Sequence, residues 1–292
     1  NGKGIGKGSY ADGMKRIKHL LPGKLDEAWQ IVRENCVHPD NAGGFSCLVE
    51  IEAMDGKVTK YLFDTGWNYQ WMEACYKREG IDVMLANKEI TTMIQTHEHM
   101  DHYFGLPVVT KYNPDIHIYT PNTFYPNGKQ YLKDCGHVGK WTEVPKGLHK
   151  IQDGVALYGF DCPIIFKVFG EISLYCNVKD IGLVSITGCC HQGIILFADT
   201  AYKTLAYEND QFYGLYGGLH ISPFDDWDPK YDDLVIGLKK WNLQKVGCNH
   251  CTGLITAQKF VDAGYPVVKG TARFRSKTTN YLGNGDVIKF PS

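Results

Sequence analysis

The sequence lacks an excess of charge of either sign: its 292 residues carry a formal net charge of −1. Surfaces that bind nucleic acid usually show a basic excess. The sequence also lacks any apolar run near the roughly 20 residues that a membrane-spanning helix needs. The composition therefore predicts a soluble protein with neither a nucleic-acid partner nor a membrane partner. A hydrophobic content of 43% is enough for a sizeable core.

No break in composition divides the chain, which begins at Asn1 rather than at a methionine. The first 13 residues are rich in glycine and lysine, as is typical of a flexible arm, and a helix is expected near Leu25–Cys36. We expect an N-terminal arm and helix over residues 1–43 and a single domain over 44–292. A cytoplasmic location and export after removal of a leader are both compatible with the sequence, and no oligomeric state is predicted.

Ten cysteines allow either disulfides or free thiols, but a core of this size does not need disulfides for its stability. We expect most of them to be buried free thiols. Cys248 and Cys251 form a single Cys-x-x-Cys, which does not by itself specify a metal or redox site. Packing is expected for Cys248, whereas Cys251 could ligate a soft metal ion.

Four candidate metal ligands lie within six positions, directly after the apolar run Ile90–Gln95 that predicts a buried strand. They are His97, His99, Asp101 and His102. In an extended chain His97 and His99 face the same side, so both could bind one ion. Asp101 and His102 could reach a second ion, because paired ions typically lie ~3.5–4 Å apart. Imidazole and carboxylate ligands suit zinc, and also manganese or iron.

Apolar periodicity predicts strands and helices that alternate along the chain. The predicted strands are Phe45–Ala53, Val58–Phe63, Ile90–Gln95, Ile116–Tyr119, Gly182–Thr187, Tyr213–Leu219, Lys245–Gly247 and Val267–Lys269. The predicted helices are Tyr69–Arg78, Gly193–Leu205, Asp232–Trp241 and Thr256–Ala263. Residues 121–148 lack clear periodicity and are rich in Asn, Gly, Pro and aromatic residues, so we expect an inserted loop there.

The histidine motif resembles that of the metallo-β-lactamase-fold superfamily of metallohydrolases. Tyr61–Gly66 is similar to the superfamily's early strand that ends in Asp-x-Gly, whose aspartate, here Asp64, braces the metal loop. Three further stretches resemble a branch of proteins labelled dihydropterin-ribofuranosylaminobenzene phosphate synthase-like. They are Ile186–Ile194 with its Gly-Cys-Cys-His, Gly217–His220 with its Gly-Gly-Leu-His, and Asn249–Gly253 with its His-Cys-Thr-Gly.

The resemblance covers the chain from about Gly44 to its end and implies an α/β fold, the four-layer αββα sandwich. It also implies that His191 completes the first metal site and His250 the second. Each of these histidines follows a predicted strand, so we expect both halves of the chain to supply one site.

In the common superfamily pattern a late aspartate bridges the two metals, but here the matching strand end carries Cys189 and Cys190. The nearest carboxylate downstream is Asp199, which falls within a predicted helix and is expected to be solvated or to cap it. The absence of the bridge leaves open whether one or two ions bind, for example one tightly and one weakly.

Three further features bear on a substrate. Gly217 and Gly218 would let the backbone approach a ligand, so His220 could act on a leaving group or hold a phosphate; packing at the strand end is the alternative. A basic cluster could bind a phosphorylated substrate or simply be solvated: Lys269, Arg273, Arg275 and Lys277. Aromatic residues near the predicted insertion could line a pocket or pack locally: Tyr112, Tyr119, Phe124, Tyr125, Tyr131 and Trp141.

The sequence therefore predicts a metal-dependent hydrolase that uses a metal-activated hydroxide on an ester or a phosphate-bearing small molecule. Zinc is the expected ion, and Asp101 and His220 are the expected catalytic residues. Three alternatives stay open. They are a transferase of the pterin-precursor type that releases pyrophosphate, a di-iron redox protein, and a metal-binding protein without hydrolytic activity.

Overall fold

A computed structural model describes residues 44–164, 168–205, 210–223 and 227–291. The expected N-terminal arm and helix lie outside the described residues. Backbone contacts divide the described chain into two compact units. The N-terminal unit comprises residues 44–146 and 159–172, and the C-terminal unit comprises 147–158 and 173–291. The expectation of one domain over 44–292 stays a prediction.

The N-terminal unit contains a five-stranded sheet in the order β1-β2-β3-β4-β5. β1 is antiparallel to β2, whereas the pairs β2–β3, β3–β4 and β4–β5 are parallel. The strands are β1 Cys47–Glu52, β2 Val58–Phe63, β3 Ile90–Ile94, β4 His117–Pro121 and β5 Trp141–Val144. The helices are α1 Tyr69–Glu79, α2 Ile81–Ala86, α3 Met100–Tyr103, α4 Leu106–Tyr112 and α5 Pro126–Asp134.

The strands of this sheet agree with those predicted because their apolar residues are buried in the core. Leu62, Ile90, Met93 and Ile118 are almost fully buried in one core. α1 ends where Gly80 adopts a φ of 73°, a left-handed conformation that glycine accepts without strain. Regular hydrophobic spacing therefore predicted the strands that carry the candidate ligands.

The expectation of an irregular insertion over residues 121–148 is wrong. The segment contains helix α5 and strand β5. Tyr131 on α5 is buried, and its hydroxyl donates to the Phe104 carbonyl at 2.9 Å. Phe124 is also buried in the same core. Tertiary packing stabilises this short helix, which would be marginal in isolation.

The C-terminal unit contains most of a six-stranded sheet in the order β11-β10-β9-β8-β7-β6. β7 and β8 contribute residues to both units. The strands are β6 Gly147–Gln152, β7 Val155–Ile164, β8 Val168–Val178, β9 Gly182–Thr187, β10 Phe212–Gly217 and β11 Lys245–Cys248. The α-helices described there are α6 Ile194–Thr204, α7 Asp232–Gly237 and α8 Leu254–Asp262.

Two predictions for this unit need correction. The helix expected over Asp232–Trp241 is α-helical only to Gly237 and continues as a 3-10 helix over Leu238–Trp241. The strand expected at Val267–Lys269 is reduced to an isolated bridge between Val267 and Val246. Across the described ranges, no helix combines the length and the apolar character needed to cross a bilayer.

The close crossing of Gly105 and Thr65 gives a test of the packing behind the histidine motif. A Cβ added at Gly105 would lie 1.9 Å from the Thr65 carbonyl oxygen. Gly105→Ala should therefore lower the free energy of unfolding by about 1–3 kcal/mol through overpacking, as measured by urea denaturation.

Gly128→Ala is the matched control, because its Cβ would meet Glu98 at an ordinary 3.5 Å within helix α5. This variant should be neutral or up to ~1 kcal/mol more stable, since alanine favours a helix interior. Equal destabilisation by both substitutions would contradict the packing described here.

Candidate functional site

The histidine motif of the N-terminal unit follows strand β3, and Asp64 follows the neighbouring parallel strand β2. Parallel strands bring their carboxyl ends to one edge of a sheet, which places Asp64 beside the residues after β3. We call residues 96–102 the histidine loop. Helix α3 begins within it, with Asp101 in its first turn. Two adjacent strand ends thus position the predicted ligands.

Asp64 organises the histidine loop through four hydrogen bonds. Its carboxylate accepts from the Thr96 backbone N–H and hydroxyl, both at 2.7 Å, and from the Gln95 side-chain amide at 3.1 Å. It also lies 2.7 Å from Nδ1 of His102, and both side chains are fully buried. Burial raises the pKa of Asp64, while the interactions with His102 and Thr96 oppose that rise. The predicted role of Asp64 as a brace therefore agrees with its contacts.

Three imidazoles of the histidine loop lie together. The ring centroids of His97 and His99 are 4.8 Å apart, and those of His97 and His102 are 4.3 Å apart. Asp101 is closest to His102, with 4.0 Å between Oδ1 and Nε2, and its side chain is 28% exposed. If Nδ1 of His102 donates to Asp64, its Nε2 carries the lone pair that a metal ion needs. The donor set fits a borderline divalent ion.

Glu98, between the two first histidines, is a buried carboxyl that sequence reasoning did not single out. It is 1% exposed, and its Oε1 accepts from the Tyr125 N–H at 2.7 Å. Its Oε2 has no hydrogen-bond partner among the described residues. Burial raises the pKa of Glu98 to about 8, although the Tyr125 N–H opposes the rise. The side chain packs against Gly128 of helix α5, so the segment expected to be a loop supports the back of the histidine loop.

The C-terminal unit presents three histidines at the ends of three adjacent parallel strands. His191 follows β9, His220 follows β10 and His250 follows β11. The rings of His191 and His220 are 4.6 Å apart. His220 and His250 have φ values of 45° and 46°, left-handed conformations that are uncommon outside glycine. Such outliers occur often at functional sites.

Two buried thiols lie beside these histidines. Sγ of Cys251 is 3.3 Å from Sγ of Cys189, and the two residues are 8% and 3% exposed. Burial opposes ionisation of Cys251, but the Cys189 thiol and positive charge on His220 and His250 lower the pKa of the Cys251 thiol well below its ordinary value. Burial raises the pKa of Cys248 to about 12, in agreement with the packing role expected for it. Sequence reasoning missed the pair of Cys189 with Cys251, because the two residues are 62 positions apart.

All cysteines in the described ranges are free thiols, and most are buried, as expected. Asp199 accepts from Lys203 at 2.5 Å and from Lys240 at 3.3 Å, which agrees with the expected solvated role on a helix. In the basic cluster, Lys269 donates to Asn280, and Arg273 lies 3.9 Å from Asp286. Binding of phosphate by this cluster stays a prediction.

Comparison with protein-family models matches part of the chain to the metallo-beta-lactamase superfamily. Residues 48–170 match the model of that superfamily. No curated protein matches the sequence. The structure of Tm1679, a metal-dependent hydrolase of the beta-lactamase superfamily, is 21% identical with a TM-score of 0.55. The match covers 75% of this chain and 85% of that one.

Two other solved structures are also similar. Zn(2+)-bound PqqB from Methylobacterium extorquens is 13% identical with a TM-score of 0.49, over 76% of this chain and 83% of that one. Human tRNase Z, short form, is 15% identical with a TM-score of 0.42, over 71% and 89%. The predicted fold class is confirmed: the chain has a mixed α/β fold with two sheets and helices, like that of Tm1679. The narrower branch stays a prediction.

The hydrogen bonds of Asp64 predict the effect of replacing it. Asparagine tolerates the left-handed φ of 56° at this position but cannot supply a carboxylate to His102. Asp64→Asn should destabilise the fold by about 1–3 kcal/mol and weaken zinc binding by ~10–100-fold. Urea denaturation and competition with a chelating dye measure the two effects. Asp55→Asn, at an exposed turn, is the control, and equal zinc affinity in all three proteins would contradict the role of Asp64.

The raised pKa of Glu98 predicts a pH dependence of stability. Between its ordinary value of 4.5 and about 8, the folded protein holds a proton that the unfolded chain has released. Stability from this group is therefore complete below pH 4.5 and is lost as the pH rises towards 8, at up to about 1.4 kcal/mol per pH unit. Glu98→Gln should lack this decline in urea denaturation from pH 5 to 9 with chelator present.

Glu52→Gln, exposed on β1, serves as the control and should keep the decline of the parent protein. If the parent and Glu98→Gln lose stability equally as the pH rises, Glu98 is not the group responsible.

Proposed function

We propose that the protein is a metal-dependent hydrolase that acts on an ester or a phosphate-bearing small molecule. The match to the metallo-beta-lactamase superfamily supports this assignment, as does the fold shared with Tm1679. The observation that carries it is the gathering of three imidazoles in the histidine loop, one of them held by a buried carboxylate. A carboxylate that hydrogen-bonds to a metal-ligating histidine orients its ring and fixes its tautomer.

The proposed ligands follow the family resemblance, residue by residue: His97, His99 and His191 for a first ion, and Asp101, His102 and His250 for a second. Zinc is the ion proposed, in one tight site and one weaker site. When bound, such an ion lowers the pKa of water and polarises the bond to be cleaved. Because the strand end that usually carries a bridging aspartate has Cys189 and Cys190, occupancy of the second site depends on fewer carboxylates.

The chain's own residues have separable tasks in this proposal. Asp64 holds His102 in one orientation through its 2.7 Å contact with Nδ1. Asp101, whose side chain is partly exposed, can accept a proton from the attacking water. General acid catalysis by His220 stays a prediction, because its ring also lies beside two thiols. The basic cluster around Lys269 and Arg273 is the proposed contact for a phosphate group of the substrate.

The alternative functions differ in their products. A transferase of the pterin-precursor type would release pyrophosphate from a pterin diphosphate and would not hydrolyse simple esters. A metal-binding protein without activity would take up zinc and turn over neither substrate. The hydrolase is preferred because histidine and carboxylate ligands on a preformed loop suffice for hydrolysis, whereas the transferase rests on motif resemblance alone.

The proposed function predicts that single ligand substitutions abolish turnover without unfolding the protein. His97→Ala and His191→Ala should each reduce hydrolysis of bis-p-nitrophenyl phosphate or of a simple lactone. The fall in rate should exceed the ~10–100-fold that is typical when a residue hydrogen-bonded to a metal ligand is removed. Rates are measured with zinc, manganese and iron, and circular dichroism checks the fold.

His117→Ala is the control, since this histidine lies on β4 with its Nε2 2.9 Å from the Thr142 hydroxyl, outside the histidine loop. It should keep the parent rate. Absence of turnover by the parent protein with every metal and every ester, together with pyrophosphate release from a pterin diphosphate, would replace the hydrolase with the transferase.

A further inference from the structure

Strands β9, β10 and β11 bring three chemically distinct side chains to one edge of the C-terminal unit. Cys189, His220 and Cys251 follow these strands in turn, and each strand is parallel to its neighbour. We call these residues the thiol–imidazole cluster. None of them belongs to the ligand set proposed for the hydrolase. The two sets are neighbours, however, because Sγ of Cys189 also lies within 4.8 Å of a ring nitrogen of His191 and of a ring nitrogen of His250.

The ligand atoms of the cluster have the separations of a compact metal site. One ring nitrogen of His220 and the two sulfur atoms all lie within 4.8 Å of one another. The two sulfurs are 3.3 Å apart. A tetrahedral zinc ion with bonds of ~2.3 Å to sulfur and ~2.0–2.1 Å to nitrogen needs S···S of roughly 3.8 Å and S···N of roughly 3.5 Å. The sulfurs would therefore have to move apart by about half an ångström, and the ring nitrogen would have to lie at the S···N distance from both.

The backbone around the cluster is built for close approach. A Cβ at Gly218 would lie 2.6 Å from Sγ of Cys251 and 2.5 Å from the Gly188 carbonyl oxygen, so only glycine fits there. The Thr252 hydroxyl donates to the Gly217 carbonyl at 3.2 Å and accepts from the Leu219 N–H at 3.1 Å. These bonds tie the loop after β11 to the loop after β10. Cys251 is thereby held against the turn that carries His220.

The three side chains of the cluster differ in their exposure to solvent. Both thiols are buried, whereas His220 is exposed. An ion held by the three would have buried sulfur ligands on one side and an exposed imidazole on the other. Two soft sulfur ligands and one imidazole favour zinc or copper(I) over magnesium or calcium, which prefer oxygen.

We propose that Cys189, His220 and Cys251 bind a zinc ion through two thiolates and one imidazole. Each thiol releases its proton to solvent as its sulfur binds the ion. The fourth position of a tetrahedral ion is then filled by water or by an exogenous ligand. In this arrangement His220 is a metal ligand and not the general acid of the hydrolase.

Cobalt substitution tests the proposal, because a cobalt–thiolate bond gives a near-ultraviolet charge-transfer band that nitrogen and oxygen ligands do not give. The parent protein, reduced and stripped with chelator, should develop the band when cobalt is added. Cys189→Ser and Cys251→Ser should each weaken or abolish it, and His220→Ala should alter the visible spectrum of the bound cobalt. Cys248→Ser is the matched control, since Cys248 is a buried thiol at the end of β11 and should leave the band unchanged.

A second measurement needs no variant. X-ray absorption of the parent zinc protein should show sulfur scatterers at ~2.3 Å. Parent protein that binds cobalt or zinc without any sulfur contact would overturn the proposal. A band that survives unchanged in either Cys189→Ser or Cys251→Ser would also overturn it, because both thiolates are required. An intact mass that rises by two hydrogens on reduction, with no metal–sulfur signal, would assign the pair to a disulfide instead. A sulfur signal without ester hydrolysis would support the zinc site while removing the hydrolase, so the two proposals fail separately.

Discussion

The buried carboxylate of Asp64 is the constraint on which the N-terminal candidate site depends. A carboxylate taken out of water is costly unless hydrogen bonds replace its hydration. Here the Thr96 N–H and hydroxyl, the Gln95 amide and the His102 ring lie around it. Satisfying this one group fixes the backbone at the start of the histidine loop and the ring at its end. Asp64 itself adopts a left-handed φ of 56°.

In the C-terminal unit, backbone conformation positions the candidate side chains. Its three adjacent parallel strands end in turns that place His220 and His250 at positive φ, and Gly217 and Gly218 let neighbouring segments approach closely. Strain of this kind persists where surrounding structure over-determines it, as the paired hydrogen bonds of Thr252 do here. In both units the candidate functional side chains therefore lie at the carboxyl ends of parallel strands, as is general in α/β proteins.

The sequence predicted the parts of the molecule that depend on local periodicity. Strand β3 and the histidine loop were predictable because a β-branched apolar run precedes a dense group of polar ligands. Helix α5 was not, because its burial depends on tertiary contacts such as Tyr131 with Phe104. The partner of Cys251 was not predictable either: 62 residues separate it from Cys189, and only the parallel pairing of β9, β10 and β11 brings them together. Glu98 went unnoticed because alternation explains His97 and His99 but does not reveal what the residue between them contacts.

The metal content per chain shows whether the histidines bind an ion. Protein is purified without added metal and without chelator, and elemental analysis gives zinc, manganese, iron and copper per chain. We expect at least one equivalent of zinc in the parent protein and a loss of zinc in His97→Ala with the fold retained. A parent protein that carries no metal and takes up none on dialysis against zinc would show that these histidines do not form a metal site.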